Sequence, residues 1–313
     1  MDELPVPPWP TGTVPDLRHV LDFVLRWERH WSAECDALQQ QIDDTVFDAY
    51  GIENTDRQTI EQEVGAPFSA PVWPEMAGKS QEEKRLEHVL RLLSYIVKTA
   101  CEEDDDGIVP LVLCGGEPTL IERARTKLDE FFGEGRSHEI ENEINAELQV
   151  NIKGNRNCGP RMTMADWFAT RYFDYHVKLY KRRPIFWHIC TDDGSFGAIV
   201  HYHRFDKNRL QKLRAHYLKG HRDRLVQRIN ELSGDESKKA RGEIEKLEGN
   251  IRAADELDRK LAMILNGEEY RIEVPWKSEE EQPQGWTPDI DDGVKVNIGP
   301  FQSAAVLAAK KVV

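Results

Sequence analysis

The sequence predicts an α+β protein, predominantly helical, with long coiled-coil-like helices and a small antiparallel sheet built on one β-hairpin. Three observations predict it. Residues 181–206, KRRPIFWHICTDDGSFGAIVHYHRFD, hold two runs of period-two alternation (Ile185, Trp187, Ile189, then Phe196, Ala198, Val200, Tyr202) around the turn residues Asp192-Asp193-Gly194-Ser195. Long stretches on either side repeat apolar residues every three or four positions, the period of a helix face. Finally, 31% of the residues are charged against 39% hydrophobic, a balance that suits much exposed helix around a core of limited size.

Residues 1–16 are Pro-rich (Pro5, Pro7, Pro8, Pro10, Pro15) and read as an extended linker from something upstream. Asp16 then caps a helix that runs to about Tyr50. Its Leu17, Leu21, Val24, Trp31, Cys35, Leu38, Ile42 and Ala49 keep close to a seven-residue repeat, broken at Glu28 and Thr45, until Gly51 stops it. A polar helix over about 56–64 and a Pro-bearing loop over 65–79 follow. Ser80 and Glu83 form a capping box for a helix that aligns Leu86, Val89, Leu90, Leu93, Ile96 and Val97, ahead of the acid run 102–106. After the apolar run 108–113, the Gly115-Gly116 turn opens a helix with Pro118 as its first residue, ending at Phe132. Residues 137–150 are amphipathic and acidic, and 163–181 form an aromatic-rich helix that delivers the chain into the hairpin.

With Asp193-Gly194 at the centre of the turn, Trp187 falls opposite Val200 and His188 opposite Ile199. One face of the hairpin is apolar and must be covered, so Trp187 and Phe196 belong to the core. The other face carries Phe186, His188, Ile199, His201 and His203 and reads as half-exposed. Beyond Asp206, helices over about 207–232 and 236–265, separated by Ser233-Gly234-Asp235, form an antiparallel pair. Its seam is Ala240, Ile244, Leu247, Ile251, Ala254, Leu257, Leu261 and Ile264. The tail offers short strands at 270–274 and 294–298 and a closing helical piece. The expected division is 1–64 (lead-in and helical spacer), 65–206 (α+β domain), 207–266 (helical hairpin) and 267–313 (strand and loop tail).

A net charge of −14 excludes a protein that binds nucleic acid through its whole surface. No apolar run approaches the length of a membrane span, and the first residues lack the pattern of a secretory signal. Five scattered cysteines, odd in number and without C-x-x-C, point to a reduced, cytoplasmic protein. Bases nevertheless concentrate between Arg171 and Arg228. Lys178, Lys181, Arg182 and Arg183 lead into the hairpin, and a longer basic series leaves it. From these, Arg182, Arg183, Arg204, Lys207, Arg209, Lys212 and Arg214 are the candidate contacts to the phosphates of double-stranded DNA. A second reading pairs these cations with the acids of the partner helix (Glu236, Glu243, Glu245, Glu248), making the chain a stand-alone acidic interaction subunit without DNA contact. A third uses His188, His201 and His203 as metal ligands of an enzyme, although no fourth ligand is in view.

No P-loop, G-x-S-x-G or Asn-Pro-Pro-aromatic motif is present, so the residues alone define no catalytic constellation. The Gly115-Gly116 turn could cradle a phosphate or a methyl donor, and Asp289, Asp292 and Lys295 faintly resemble a metal-nuclease set. A plain turn accounts for each.

Several stretches together resemble one family. Residues 38–52, LQQQIDDTVFDAYGI, resemble the segment "I-D-x-x-V-y-x-l-Y-G-l" that ends a coiled-coil spacer in large adenine-specific methyltransferases. Residues 93–97 with 106–111 resemble their "isYavG…dGiiPl". Residues 183–188 (RPIFWH) with 194–205 (GSFGAIVHYHRF) resemble their "kRPIyW…gsFsaliyyHr". Residues 291–298 and 311–313 resemble the way those chains finish. The family is the PglX methyltransferases of BREX phage-defence systems, with the related type IIG restriction–modification enzymes. The resemblance runs from about Leu17 onward and is confined to the family's C-terminal, non-catalytic region, which implies a part in DNA recognition and scaffolding. The methyl-donor and Asn-Pro-Pro-Tyr motifs have no counterpart here. No catalytic residue and no cofactor is therefore assigned to this chain: S-adenosylmethionine would belong to a catalytic domain outside it. Double-stranded DNA, a separately encoded methyltransferase and other phage-defence subunits are the implied partners, with no membrane.

Overall fold

The computed structural model describes residues 16–64, 73–235, 237–309 and 311–312. The Pro-rich lead-in, most of the proline loop at 65–72 and Glu236 lie outside the described residues. The fold is α+β and predominantly helical, as expected.

Helix α1 (Leu17–Ala49) starts where Asp16 accepts a hydrogen bond from the His19 N–H, and α2 (Asn54–Val64) follows the turn at Gly51. Helix α3 (Gln81–Glu103) carries the full Ser80/Glu83 capping box, and its predicted apolar residues are all buried. The two breaks in the α1 repeat have different fates. Glu28 is buried and ion-paired at 2.9 Å with Lys84 of α3, so the break is filled by a charge pair; Thr45 returns its hydroxyl to the Gln41 carbonyl.

Strand β1 (Ile108–Pro110) precedes α4 (Leu120–Phe132) and α5 (Ser137–Leu148). Pro118 is not the first helical residue. Thr119 caps α4 in a box with Glu122, because a hydroxyl that accepts the Glu122 N–H satisfies a donor that proline cannot. Helices α6 (Met164–Thr170) and α7 (Tyr172–Leu179) split the aromatic-rich segment. They lead to β2 (Phe186–Cys190) and β3 (Gly197–His201).

The sheet has the order β1-β3-β2, antiparallel throughout, with Trp187 opposite Val200 and His188 opposite Ile199, as the alternation predicted. The turn closes one residue earlier than expected. The Gly194 N–H donates to the Thr191 carbonyl, so Asp192-Asp193 are its central pair, and Gly194 (φ +70°) takes the left-handed position that follows.

Both faces of this small sheet are buried. Ile108, Trp187, Ile189, Ala198 and Val200 face one core, completed by Leu210, Leu213, Tyr217, Leu257, Leu261, Trp286 and Phe301. Val109, Phe186 and Ile199 face a second, completed by α3, α4, α5 and α6 and by Leu17 and Leu21 of α1. A buried side chain of this size stabilises by roughly 1.5–3 kcal/mol, so the three strands are the shared wall on which both halves of the molecule depend. The expectation of a half-exposed histidine face is therefore corrected. His188 is buried, and Gly197, two residues before its cross-strand partner Ile199, leaves room for it: a Cβ there would lie 2.7 Å from His188 Nε2.

A helical run continues from α8 (Lys207–Lys212), capped by Asp206, through a π-helical turn at Leu213–Leu218 into α9 (Lys219–Leu232). It packs against α10 (Lys238–Asn266), whose Ala240, Ala254, Leu257, Leu261 and Ile264 are buried; Ile244, Leu247 and Ile251 of the predicted seam are half-buried.

The tail departs from expectation. Residues 270–274 are irregular, and 294–298 lie in a helix, α11 (Val294–Ser303). The alternation in VKVNI misled because Ile298 and Phe301, three apart, are the fully buried residues, and buried Asn297 is held by the Asp289 carbonyl and the Tyr202 hydroxyl. The closing segment is extended instead of helical. Residues 306–308 pair with β2 through Cys190 N–H to Val306 (2.9 Å) and Ala308 N–H to the His188 carbonyl (3.0 Å), covering that sheet edge.

Candidate functional site

The candidate site is the open end of the hairpin, where Tyr202 N–H donates to the Ile185 carbonyl and the two basic series meet the sheet. The lead-in series sits on the turn that ends α7. Arg182 N–H donates to the Val177 carbonyl (2.8 Å) and Lys181 N–H to that of Lys178 (3.1 Å), the hydrogen-bond pattern of a Schellman motif. Glycine usually occupies its left-handed position. Here Lys181 (φ 49°) and Arg182 (φ 63°) are both left-handed, a conformation that costs a side-chain-bearing residue of order 1 kcal/mol. The Lys178, Lys181, Arg182 and Arg183 side chains are exposed, and none has an ion-pair partner among the described residues. Behind the turn, His176 Nε2 accepts the N–H groups of Ile185 and Phe186, each at 3.1 Å. Burial drives its pKa down to about 3, which keeps the ring neutral, as those two bonds require.

The lead-out series is engaged very differently. Arg204 donates to the carbonyls of Asp104 (2.7 Å), Asp105 and Glu102, capping the end of α3. Arg209 reaches the Asp106 carbonyl (3.0 Å) and the Asp206 carboxylate. Lys212 lies 2.5 Å from Asp106 Oδ2, which also accepts from Tyr217 at 3.0 Å. Asp104 accepts the N–H groups of Asp106, Gly107 and Ile108, and Arg123 at 2.6 Å. Burial raises the Asp104 pKa. Burial also works against ionisation of Asp106, but hydrogen bonding with Asp104, Lys212, Ile108 N–H and Tyr217 outweighs it and holds that carboxyl below its ordinary value. Arg214 forms a two-pronged pair with Asp258 of α10 at 2.8 and 3.0 Å.

Of the seven candidate phosphate contacts, Arg204, Arg209, Lys212 and Arg214 are thus bound within the molecule. Arg182, Arg183 and Lys207 are exposed, with no ion-pair partner among the described residues. The reading that pairs α9 with acids of α10 holds for Arg228 with Glu243 (3.0 Å), but Arg214 and Arg222 use Asp258 and Asp255. Sequence reasoning missed the acid run 102–106 as the partner of the lead-out bases. The contact spans about a hundred residues, and only the pairing of β1 with β3 brings it about.

The histidine metal reading is corrected. His188 is packed against Gly197 and Phe173, His201 lies against Phe186, and His203 is exposed. No group of three or more His, Cys, Asp or Glu among the described residues converges as metal ligands. The nuclease-like set does not assemble either: Asp292 is paired with Lys277 at 2.6 Å, and Lys295 is on helix α11. The Gly115-Gly116 turn is filled from outside, with His216 against Gly115 and Gly220 so close that a Cβ there would sit 3.0 Å from Gly115 N. Those residues do not fit a methyl donor. Among the described residues, no helix is long and apolar enough to cross a membrane.

The chain is similar to adenine-specific methyltransferases, consistent with a PglX-like BREX region. It is 28% identical over 214 residues to the adenine-specific methyltransferase BrxX of Escherichia coli O9:H4 (strain HS), a match covering 63% of this chain and 16% of that protein. It is 26% identical over 137 residues to the adenine-specific methyltransferase PglX of Lacticaseibacillus casei (strain Zhang), covering 41% of this chain and 10% of the relative. The chain thus spans only a small part of the curated relatives it matches. No family model matches it.

Proposed function

We propose that the chain is a DNA-recognition and scaffold portion of a PglX-like adenine methyltransferase system in phage defence, acting through contacts and not chemistry. The carrying observation is the turn after α7: four exposed cations, unpaired among the described residues, on a backbone with two consecutive left-handed non-glycine residues. Long cations held outward on a fixed turn suit phosphate oxygens of duplex DNA, which supply affinity and register without reading sequence. Arg182 and Arg183 make the contacts, with Lys207 at the start of α8 extending them. Arg204, Arg209, Lys212 and Arg214 hold the hairpin's exit in place behind them. The similarity to BrxX and PglX supports the defence setting. Methyl transfer from S-adenosylmethionine belongs to a separate catalytic portion, with which this chain assembles in a cytoplasmic complex.

Binding of the chain to duplex DNA over a salt series tests this. The expected result is micromolar-or-better binding at low salt that weakens steeply as salt rises and falls at least about tenfold in Arg182→Ala/Arg183→Ala. Absence of binding at low salt, or binding indifferent to those substitutions, would overturn it.

A further inference from the structure

The face of α1 that packs on α3 does not end where the body ends. Leu17, Leu21, Leu25 and Glu28 are buried against the body, and Trp27 and Trp31 pack in a ring cluster with Trp73 (centroids 6.1 Å for Trp27–Trp31, 5.5 Å for Trp27–Trp73) where the helix leaves it. Beyond that cluster the same heptad line continues through Cys35, Leu38, Ile42 and Ala49, flanked by Val46 and Tyr50. Leu38 and Ile42 are each 56% exposed, Val46 47% and Tyr50 80%. The opposite side of the helix is where α2 folds back: Arg57 pairs with Asp44 and lies 4.8 Å from the Phe47 ring centroid. So α2 leaves the apolar line open. An apolar stripe this long on an exposed helix marks a place for another helix.

Charge selects which helix. Between His30 and Tyr50 the helix carries Glu34, Asp36, Asp43, Asp44 and Asp48 and no lysine or arginine. Glu34 and Asp48 fall beside the heptad line, at positions that face a partner's flanking residues in a two-helix seam. Two copies of this arm would set carboxylate against carboxylate, which disfavours self-pairing. A helix with leucine or isoleucine along its seam and lysine or arginine on its flanks satisfies both the stripe and the charge.

We infer that residues 31–49 of α1 are a docking arm for a basic amphipathic helix of a partner protein, pairing with it as a short two-stranded coiled coil. This surface is separate from the cationic turn after α7, and nothing in its argument depends on DNA.

The probe is a synthetic four-heptad helix with Leu/Ile seam positions and Lys flanks, labelled for fluorescence anisotropy, against a control with the same seam and Glu flanks. The full chain should bind the Lys-flanked helix at least about tenfold more tightly than the control, with the difference shrinking at high salt. Leu38→Asp/Ile42→Asp should abolish binding, and Glu34→Lys/Asp48→Lys should reverse the preference. All four positions are exposed or at the helix surface, so circular dichroism should report an unchanged fold. Equal binding of the two helices, no binding of either, or sedimentation as a dimer that Leu38→Asp/Ile42→Asp dissolves would each overturn the inference; the last would make a second copy the occupant. DNA binding through Arg182 and Arg183 should be unaffected by these variants, so the two proposals fail separately.

Discussion

Two basic series flank the same hairpin, and the structure puts them to opposite uses. The lead-out series (Arg204, Arg209, Lys212) is tied to residues 102–106, so its charges cap α3 and hold the Asp106 carboxylate. The lead-in series (Lys178, Lys181, Arg182, Arg183) has no ion-pair partner among the described residues and stands on a turn that tolerates unfavourable backbone angles. The contrast teaches that a run of cations in a sequence says little until its acids are located. Paired cations stabilise a fold, and a cation left unpaired on a fixed backbone is available to something else.

Substitutions should separate the two series. The largest effect on stability is expected from Asp106→Ala, which strands Lys212 and Tyr217 in a half-buried network; a loss of about 3 kcal/mol in urea unfolding is expected. Arg204→Ala should follow at about 2 kcal/mol, since the carbonyls of Cys101, Glu102, Asp104 and Asp105 lose their donor, with little change in DNA affinity per folded molecule. Arg182→Ala/Arg183→Ala should do the reverse, altering stability by less than about 0.5 kcal/mol while weakening DNA binding. If Arg204 and Arg182 substitutions behaved alike in both assays, the contrast would be lost.

Acid tests the ground beneath the lead-in turn. His176 and His188 are buried with pKa values pushed down by burial to about 3 and about 4. A depressed histidine leaves stability intact above its unfolded value near 6.5 and removes it as pH falls toward the folded value. The chain should therefore lose stability between pH 6.5 and 4, by roughly 3 kcal/mol for each of these two histidines near the lower end. His188→Gln should flatten that dependence in urea midpoints taken across the window. A smaller effect than these histidines, and of opposite sign, belongs to Lys181→Gly, which removes the left-handed penalty. It should raise stability by about 1 kcal/mol and still bind DNA more weakly for want of one charge.

Much of the fold was legible because it rests on local signals. The hairpin register followed from alternation between Trp187 and Val200, and the caps at Asp16 and Ser80 from side chains that reach only three residues ahead. What the sequence could not disclose is non-local. VKVNI at 294–298 alternates like a strand, yet buried Asn297 finds its side-chain partners in the Asp289 backbone, through both N–H and carbonyl, and in the distant Tyr202 hydroxyl, which its place in a helix allows. His188 looked like surface because nothing local announces that the second face of the sheet is covered by the helices of the other core. The candidate site was legible as a charge pattern over 181–214. Its division into engaged and open halves was not, since that depends on Arg204 meeting a loop a hundred residues earlier.

The most direct test is the slope of log affinity for duplex DNA against log salt, measured for the intact chain and for Arg182→Ala/Arg183→Ala. Each lost phosphate contact should reduce the slope by about 0.9, so the double variant should lose roughly 1.8, while Arg214→Ala, whose charge is engaged by Asp258, should leave it unchanged. A slope indifferent to Arg182 and Arg183, or equally sensitive to Arg214, would contradict the assignment of DNA contact to the turn after α7.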